Sequence, residues 1–446
     1  MVAAKGHTMA VIEVWGTRVG AIVYDSTREL GTFEYYPEWI AQGIELAPLH
    51  MPLSTRKYSF PALNKATYKG LPAMLADTLP DDFGNAVIDN WLAKQGRDKR
   101  TFTPVERLLY MGKRGMGALE YVPAIQTQQS PQQELALDEL VAMAQMVLNN
   151  RQQQSYAPYG GGLEALMQVG TSAGGARSKA IITVNADRSS IHSGQAEAPS
   201  GYEHYLLKFD GVGEHSRAQE TFGDPVGFGR MEYAYYLMAI DCGIDMMASE
   251  LIHENGRAHF MTKRFDRIKG IDAAGAQIEI KRHVQTLCAM DHADFKLAGS
   301  YSYEQLFAVA RALRLSRDEA LQIYRRMVFN VIARNHDDHP KNTAFMLDPV
   351  SLKWQLAPAY DMAYSYKLDS PWVSNHQLTL NGKRDNFNRQ DLLGVAEQIS
   401  HFRPEQVNNL INEVLDVVGS WPTYASKAGV FDGLSKEIMG NLRLRL

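Results

Sequence analysis

The stretch RMVFNVIARNHDDHPKN, residues 326–342, carries the strongest structural signal in the chain. Upstream of it, Ser316 and Glu319 fit a capping box, and apolar residues recur at helical spacing, which predicts a helix over 317–335. This helix would deliver the chain into the polar cluster NHDDHPKN at 335–342. Charged side chains concentrated directly after a buried helix need a chemical reason.

Phosphoryl transfer supplies such a reason. The reaction needs a base that accepts a proton from a substrate hydroxyl, and it needs oxygen ligands that hold Mg²⁺ on the nucleotide phosphates. Asp337 and Asn342 are five residues apart, the spacing of the Asp and Asn in a kinase catalytic loop. Asp361 follows 24 residues after Asp337, where a kinase places its metal-binding Asp. Lys341 would neutralise charge on the transferred phosphoryl group.

Two other interpretations of this cluster stay open on the residues alone. His336, Asp337 and His339 would bind a metal ion in a phosphohydrolase, because His and Asp are common metal ligands. The cluster would also fit the solvated, well-capped end of a helix that has no chemical role.

Three weaker features lie upstream of the cluster. GTSAGGARSKA (170–180) is rich in small residues whose backbone N–H groups can approach phosphate oxygens, and Lys179 adds charge there. Lys208, inside the strand-like HYLLKF, would reach the nucleotide phosphates, with Glu232 on the next helix as its carboxylate partner. Alone, each has an ordinary interpretation: a Gly-rich turn, a charge on the solvent face of an edge strand, and a favourable charge near a helix start.

The order of these features is more specific than any one of them. A Gly loop, a strand lysine, a helix glutamate, a hairpin around Asn255–Gly256, Asp-x-x-x-x-Asn and a later Asp follow one another. This is the order of a protein-kinase-like active site. The last strand of the hairpin, MTKRF (261–265), would lie where a kinase hinge holds the adenine.

Composition and charge limit the class of protein. The chain has 446 residues, of which 45% are hydrophobic, and its formal net charge is -4, which predicts a multidomain globular enzyme rather than a free-standing nucleic-acid binder. The two cysteines indicate a reducing, cytoplasmic compartment, and no apolar run is long enough to span a membrane. Strands at the front and helices at the end predict an α+β fold with a β-rich region at 1–125, a nucleotide-binding region at 135–268 and a helical catalytic region at 269–446.

Several separate motifs together resemble those of the HipA family, the kinase toxins of type II toxin–antitoxin modules. The segments that carry the resemblance are LPDDFGNAVIDNWL (79–92), GTSAGGARSKA, HYLLKFD, MEYAYYLMAIDCGI (231–244), TKRFDR (262–267), NHDDHPKN and PAYDM (358–362). The resemblance implies a protein-kinase-like two-lobe fold with an all-helical C-terminal lobe, and an ATP- and Mg²⁺-dependent serine/threonine kinase. It also implies a translation-related substrate such as an aminoacyl-tRNA synthetase, and a HipB-like helix-turn-helix antitoxin through which most DNA contact is made.

The resemblance further implies roles for individual residues. Asp337 and Lys341 are implied as catalytic, and Asn342 and Asp361 as Mg²⁺ ligands. The implied nucleotide-binding residues are Gly174, Gly175, Ala176, Arg177, Ser178, Lys179, Lys208, Glu232, Lys263, Arg264, Phe265, His339 and Tyr360.

A silencing site and an extra charge complete the implied pattern. Ser172 matches the serine that family members autophosphorylate to silence the kinase, with Thr171 and Ser178 as alternative positions. Asp338 stands where a glycine is frequent in the family, and it puts an extra charge beside the base Asp337. A non-catalytic corepressor that acts with an antitoxin is the remaining functional alternative.

Overall fold

The computed structural model describes residues 7–125, 134–153, 177–195, 197–212, 226–271, 275 and 277–446. The predicted site residues Ser172, Gly174, Gly175 and Ala176 lie outside these described residues.

The described residues belong to two compact units. The first lies within Met1–Glu214, Lys263–Gln285 and Met346–Lys353, and the second lies within His215–Thr262, Thr286–Phe345 and Trp354–Leu446. The three regions expected from the sequence stay a prediction.

Strands occur along most of the described chain. They are β1 (Met9–Val14), β2 (Thr17–Asp25), β3 (Leu30–Tyr35), β4 (Glu120–Val122), β5 (Lys179–Val184), β6 (Ile191–Ser193), β7 (Glu203–Lys208), β8 (Ser249–Glu254), β9 (Arg257–Lys263), β10 (Arg267–Ile271), β11 (Gln277–Lys281), β12 (His283–Thr286), β13 (Ala344–Leu347) and β14 (Trp354–Leu356). The expectation that the C-terminal region is all helical is therefore wrong in one respect, since β11 to β14 lie within it. These strands are short, so their sequence periodicity is weak.

Helices separate and follow the strands. They are α1 (Pro37–Ile40), α2 (Lys65–Tyr68), α3 (Ala73–Ala76), α4 (Asp82–Lys94), α5 (Pro104–Met111), α6 (Leu137–Gln153), α7 (Phe228–Asp241), α8 (Leu287–Met290), α9 (Tyr303–Ala312), α10 (Arg317–Ile332), α11 (Arg389–Ala396), α12 (Pro404–Gly419), α13 (Trp421–Ala428) and α14 (Asp432–Asn441), with 3-10 turns at Lys99–Thr101 and Pro340–Asn342. None of the helices in the described part combines the length and the hydropathy that crossing a bilayer requires.

In the first unit, an antiparallel sheet of order β3-β2-β1-β4 forms the N-terminal layer. Its first strand alternates inward and outward side chains, and Ala10, Ile12 and Val14 are fully buried. Further along the chain, β5 pairs antiparallel with β6 and β7. The register of the second pair sets Lys179 opposite Lys208, so two of the predicted nucleotide-binding lysines are neighbours across one ladder.

In the second unit, α7 packs closely on the hairpin β8–β9. A Cβ atom at Gly229 of α7 would lie 1.9 Å from the carbonyl oxygen of Ala258, so only glycine permits this approach. The hairpin closes at Asn255 and Gly256, whose φ angles are 43° and 79°, which confirms the predicted turn.

Helix α10 brings the chain to the polar cluster. Both hydrogen bonds of the predicted capping box are present, between the side chain of each of Ser316 and Glu319 and the backbone of the other. The helix ends at Ile332, three residues before the predicted end at 335. Arg334 adopts a left-handed conformation with φ 58°, which stops the helix and turns the chain into the loop that follows.

Candidate active site

The loop after α10 runs beside the segment that carries Asp361. His336 N donates to Ser365 O at 3.2 Å, and Ser365 N donates to Arg334 O at 3.0 Å, in a parallel bridge between the two segments. Two distant stretches of the second unit therefore meet here.

A cavity lies between these two segments. Its wall includes Asn342, Asp361, Asp338 and Asn335, and it opens to solvent. Two buried atoms of lining residues, Arg326 Nε and Asn335 Oδ1, have no hydrogen-bond partner among the described residues. Because buried polar atoms are normally paired, the cavity suits polar contents.

Asp337 is partly exposed at the edge of this loop, with 30% of its side chain accessible. Trp372 Nε1 donates a hydrogen bond of 2.7 Å to Asp337 Oδ1, and His339 Nε2 lies 3.8 Å from the same oxygen. Burial raises the pKa of Asp337 above its usual value, while His339 and the Trp372 hydrogen bond act against that rise and Asp361 adds to it. Because Asp337 is held through Oδ1, its other carboxylate oxygen is suited to accept a proton.

Asn342 and Asp361 fit the donor set of a magnesium site. Asn342 Nδ2 donates to the carbonyl oxygen of Asp337 at 2.7 Å, so its Oδ1 is turned away from that contact. Asp361 has a φ of 53°, and both residues line the cavity. Mg²⁺ is held in such sites by one or two protein oxygens together with water and substrate phosphates, and these two side chains supply oxygens of that kind.

Lys341 and its neighbours form an aromatic edge beside Asp337. Lys341 Nζ is 5.0 Å from the centroid of the Phe295 ring, a cation–π distance. The His339 ring lies between Phe295 and Trp372, with centroid distances of 5.5 and 6.3 Å. Tyr360 donates from its hydroxyl to the carbonyl oxygen of Lys341 at 2.7 Å, which ties the PAYD segment to the loop.

Asp338 turns away from Asp337 and is nearly fully buried. Its carboxylate accepts hydrogen bonds from the Tyr303 hydroxyl at 2.7 Å, His376 Nδ1 at 2.8 Å and Gln377 N at 2.7 Å. Its role in the structure is thus to anchor the segment around 376–378. These hydrogen bonds stabilise the charge of Asp338 inside the protein, and that charge adds to the rise in the pKa of Asp337.

His336 does not join Asp337 and His339 in a metal-binding group. Its ring is fully buried and lies 4.1 Å from the ring of His376. Burial, followed by the neighbouring His376 and Arg334, holds the pKa of His336 well below its usual value. Over the part of the chain that the structure describes, no three His, Cys, Asp or Glu side chains are grouped to hold a metal ion, so this geometry gives the phosphohydrolase interpretation no support.

The predicted phosphate-binding residues that are described lie in the first unit. Lys208 is buried at the end of β7, which excludes the solvent-face interpretation. Lys179 is also buried, with its Nζ 3.7 Å from Asp81 Oδ2. Ser178 is only 1% exposed, and Arg177 before it is half-buried. Contact of these residues with a nucleotide stays a prediction.

The predicted adenine-contacting stretch is held by ion pairs. Lys263 Nζ lies 2.6 Å from Glu203 Oε1. Arg264 is buried, and its guanidinium donates to both carboxylate oxygens of Asp266 at 2.9 and 2.7 Å. Its side chain is therefore already engaged, and its backbone N–H donates to His204 O at 2.9 Å. Contact of 263–265 with an adenine stays a prediction.

Glu232 is a buried residue of α7 in the second unit, only 3% exposed. Glu232 is therefore not a solvated charge at the start of a helix. Its pairing with Lys208 of the first unit stays a prediction.

Three residues that hold the two acidic residues at 337 and 338 are not among the predicted site residues: Trp372, Tyr303 and His376. They lie 35 to 38 residues from their partners in the sequence. No motif or periodicity connects residues at such separations.

Two family models match this chain. The model described as the HipA N-terminal domain matches residues 10–122, and the HipA-like C-terminal domain matches residues 171–421. The chain belongs to the HipA family.

Comparison with a solved HipA structure agrees. A chain of the complex of HipA, HipB and operator DNA from the Shewanella oneidensis toxin–antitoxin system is similar over 97% of this chain and 99% of its own length, with a TM-score of 0.58 and 16% identity. At this identity the likeness shows the fold alone, and it confirms the predicted α+β HipA fold.

A curated relative matches a shorter part of this HipA-family chain. "Putative kinase Y4mE" of Sinorhizobium fredii is 25% identical over 126 residues, which are 28% of this chain and 30% of that protein. The match thus spans less than a third of the relative's length.

Proposed function

We propose that this chain is an ATP- and Mg²⁺-dependent serine/threonine protein kinase of the HipA type. The observation that carries the proposal is the set of contacts of Asp337: its carboxylate accepts a hydrogen bond from Trp372 and is acted on by the charge of Asp361, and its backbone carbonyl accepts one from Asn342. A base and a pair of magnesium ligands are the parts that phosphoryl transfer requires. The name of the relative Y4mE, a putative kinase, supports a kinase activity in general.

In this reaction, Asp337 accepts the proton of the acceptor hydroxyl. The hydroxyl oxygen forms a bond to the γ-phosphorus of ATP, the bond from that phosphorus to the bridging oxygen breaks, and ADP leaves. Asn342 and Asp361 would hold the metal, and Mg²⁺ when bound neutralises charge on the phosphates. Lys341 contributes a further positive charge on the loop, and Lys208 is assigned to the remaining phosphates.

Incubation of the purified protein with γ-labelled ATP and Mg²⁺ tests the activity directly. We expect label to appear on serine or threonine, first on the protein itself and then on an added substrate. Hydrolysis of ATP without transfer to any protein would contradict the proposal. The absence of any reaction when the protein substrate is added would also contradict it. The non-catalytic corepressor predicts the second of these results.

The partners belong to the same proposal. The solved relative is a complex with HipB and operator DNA, which supports a HipB-like antitoxin partner. We propose that this antitoxin has a helix-turn-helix and makes most of the DNA contact. We assign the substrate to the translation-related proteins, with an aminoacyl-tRNA synthetase as the first protein to test, and we place the reaction in the cytoplasm.

Removal of either proposed metal ligand should weaken nucleotide binding. Asp361→Ala or Asn342→Ala deletes an oxygen ligand, so we expect the affinity for Mg²⁺–ATP measured by calorimetry to fall by about tenfold or more. Asn412→Ala on α12, which is exposed, is the matched control and should bind Mg²⁺–ATP normally. Unchanged affinity in both ligand variants would mean that these residues are not ligands.

Ser172 is our proposed site of silencing autophosphorylation. A phosphate there would add about 1.5 to 2 negative charges beside a loop that is meant to hold phosphates, so the modified protein should bind ATP poorly. Ser178, one of the two alternatives, is buried in this structure, which disfavours it as the target. Mass spectrometry after ATP treatment should find the phosphate at 172; a phosphate only elsewhere, or full ATP affinity in the modified protein, would refute the assignment.

A further inference from the structure

Trp372 makes a direct contact with the proposed base. Its Nε1 donates to Asp337 Oδ1 at 2.7 Å, a charge-assisted hydrogen bond when the carboxylate is ionised. Among the described residues, no other hydrogen bond reaches the Asp337 carboxylate. One oxygen is therefore held, and Oδ2 is the oxygen left for a substrate hydroxyl.

The segment that carries Trp372 is itself firmly held. Ser370 Oγ accepts hydrogen bonds from the backbone N–H groups of Trp372 and Val373, both at 3.2 Å. Gln377 donates from its side chain to the carbonyl oxygen of Trp372, and its backbone N–H donates to Asp338 Oδ1 at 2.7 Å. Two consecutive acidic residues are thus tied to one segment, Asp337 through an indole and Asp338 through a backbone amide.

We infer that Trp372 is a positioning residue for phosphoryl transfer, which holds Asp337 Oδ1 so that Oδ2 faces the acceptor hydroxyl. The inference rests on the proposed kinase function. Rotation of the carboxylate about its terminal torsion is soft, and a single strong donor is enough to select one orientation. A small misplacement of a base costs far more in rate than in nucleotide binding, which is the signature to look for.

Trp372→Phe tests this role because it keeps an apolar aromatic ring and removes the N–H donor. We expect kcat to fall by about 10- to 100-fold while KM for ATP stays within about twofold. Trp421→Phe is the matched control, since its Nε1 also donates one hydrogen bond, to Ser435 O at 2.9 Å, within the same unit. That control should leave kcat unchanged.

A double-mutant cycle separates positioning from general packing. In an Asp337→Asn background, Trp372→Phe should cause little further loss, because its effect acts through Asp337. An equal further loss in that background would overturn the inference, as would a Trp372→Phe enzyme with normal kcat. An inactive wild-type protein would overturn the proposed kinase function, and the inference with it.

A measurement independent of activity tests the contact itself. The chain has six tryptophans, so the indole N–H signals in a ¹H–¹⁵N spectrum can be assigned by single substitutions, with Trp372→Tyr replacing the Phe variant if that one fails to fold. The Trp372 signal should move in Asp337→Ala, and the Trp421 signal should stay in place. A Trp372 signal that does not respond would exclude the hydrogen bond in solution.

Discussion

Asp337→Asn should lower the rate of phosphoryl transfer by roughly 100-fold or more while nucleotide binding is largely kept. The asparagine amide has the shape of the carboxylate but cannot take the proton from the substrate hydroxyl. It can still receive the hydrogen bond from Trp372 through its oxygen, so the surrounding loop should remain in place. Single-turnover transfer from labelled ATP measures the chemical step, and calorimetry measures binding.

Asp416→Asn on α12 is the matched control for this variant. Asp416 is exposed and belongs to the same unit, so the control makes the same chemical change away from the site. We expect its activity to equal that of the wild type. An Asp337→Asn protein that still transfers phosphate at the normal rate would remove Asp337 from the role of base.

Asp338→Ala should destabilise the protein by about 3–5 kcal/mol, the usual cost of removing one partner from a buried charged network. The substitution leaves the Tyr303 hydroxyl, His376 Nδ1 and the Gln377 N–H without their acceptor. Each buried polar group without a partner costs about 1–3 kcal/mol. The costs of the three groups are not additive, because the cavity beside them can admit water. Unfolding in urea, followed by circular dichroism, measures the change in the free energy of unfolding.

Two further variants define what Asp338 contributes. Asp338→Asn retains one oxygen acceptor and should cost less, about 1–2 kcal/mol. Asp416→Ala removes an exposed carboxylate from α12 and should change the free energy of unfolding by less than about 0.5 kcal/mol. If Asp338→Ala is as stable as the Asp416 control, the buried network does not hold this segment.

Local features of this chain were predicted well because neighbouring residues determine them. The capping box at Ser316 and Glu319 and the turn at Asn255 and Gly256 each depend on contacts within four residues, and both are present. The position at which helix α10 ends depends on contacts that are more distant in the sequence. Arg334 leaves the helix early because its segment bridges to Ser365, and the helical periodicity contains no sign of that bridge.

The motif order was sufficient to indicate the family, and the family models confirm it over residues 10–122 and 171–421. The spacing of Asp337 and Asn342 also determines that one loop carries both residues. The 3-10 turn Pro340–Asn342 then folds Asn342 back so that its amide donates to the backbone of Asp337.

Contacts at long sequence separation were decided only by the tertiary structure. Trp372 meets Asp337 across 35 positions, and His376 meets Asp338 across 38. Of two adjacent aspartates with the same side chain, one is held at the edge of the site and the other is buried as an anchor. Their difference arises from which donors the folded chain brings to each, and the pattern of residues along the sequence cannot encode that choice by itself, because adjacent loop positions have no fixed direction until the segments around them have packed.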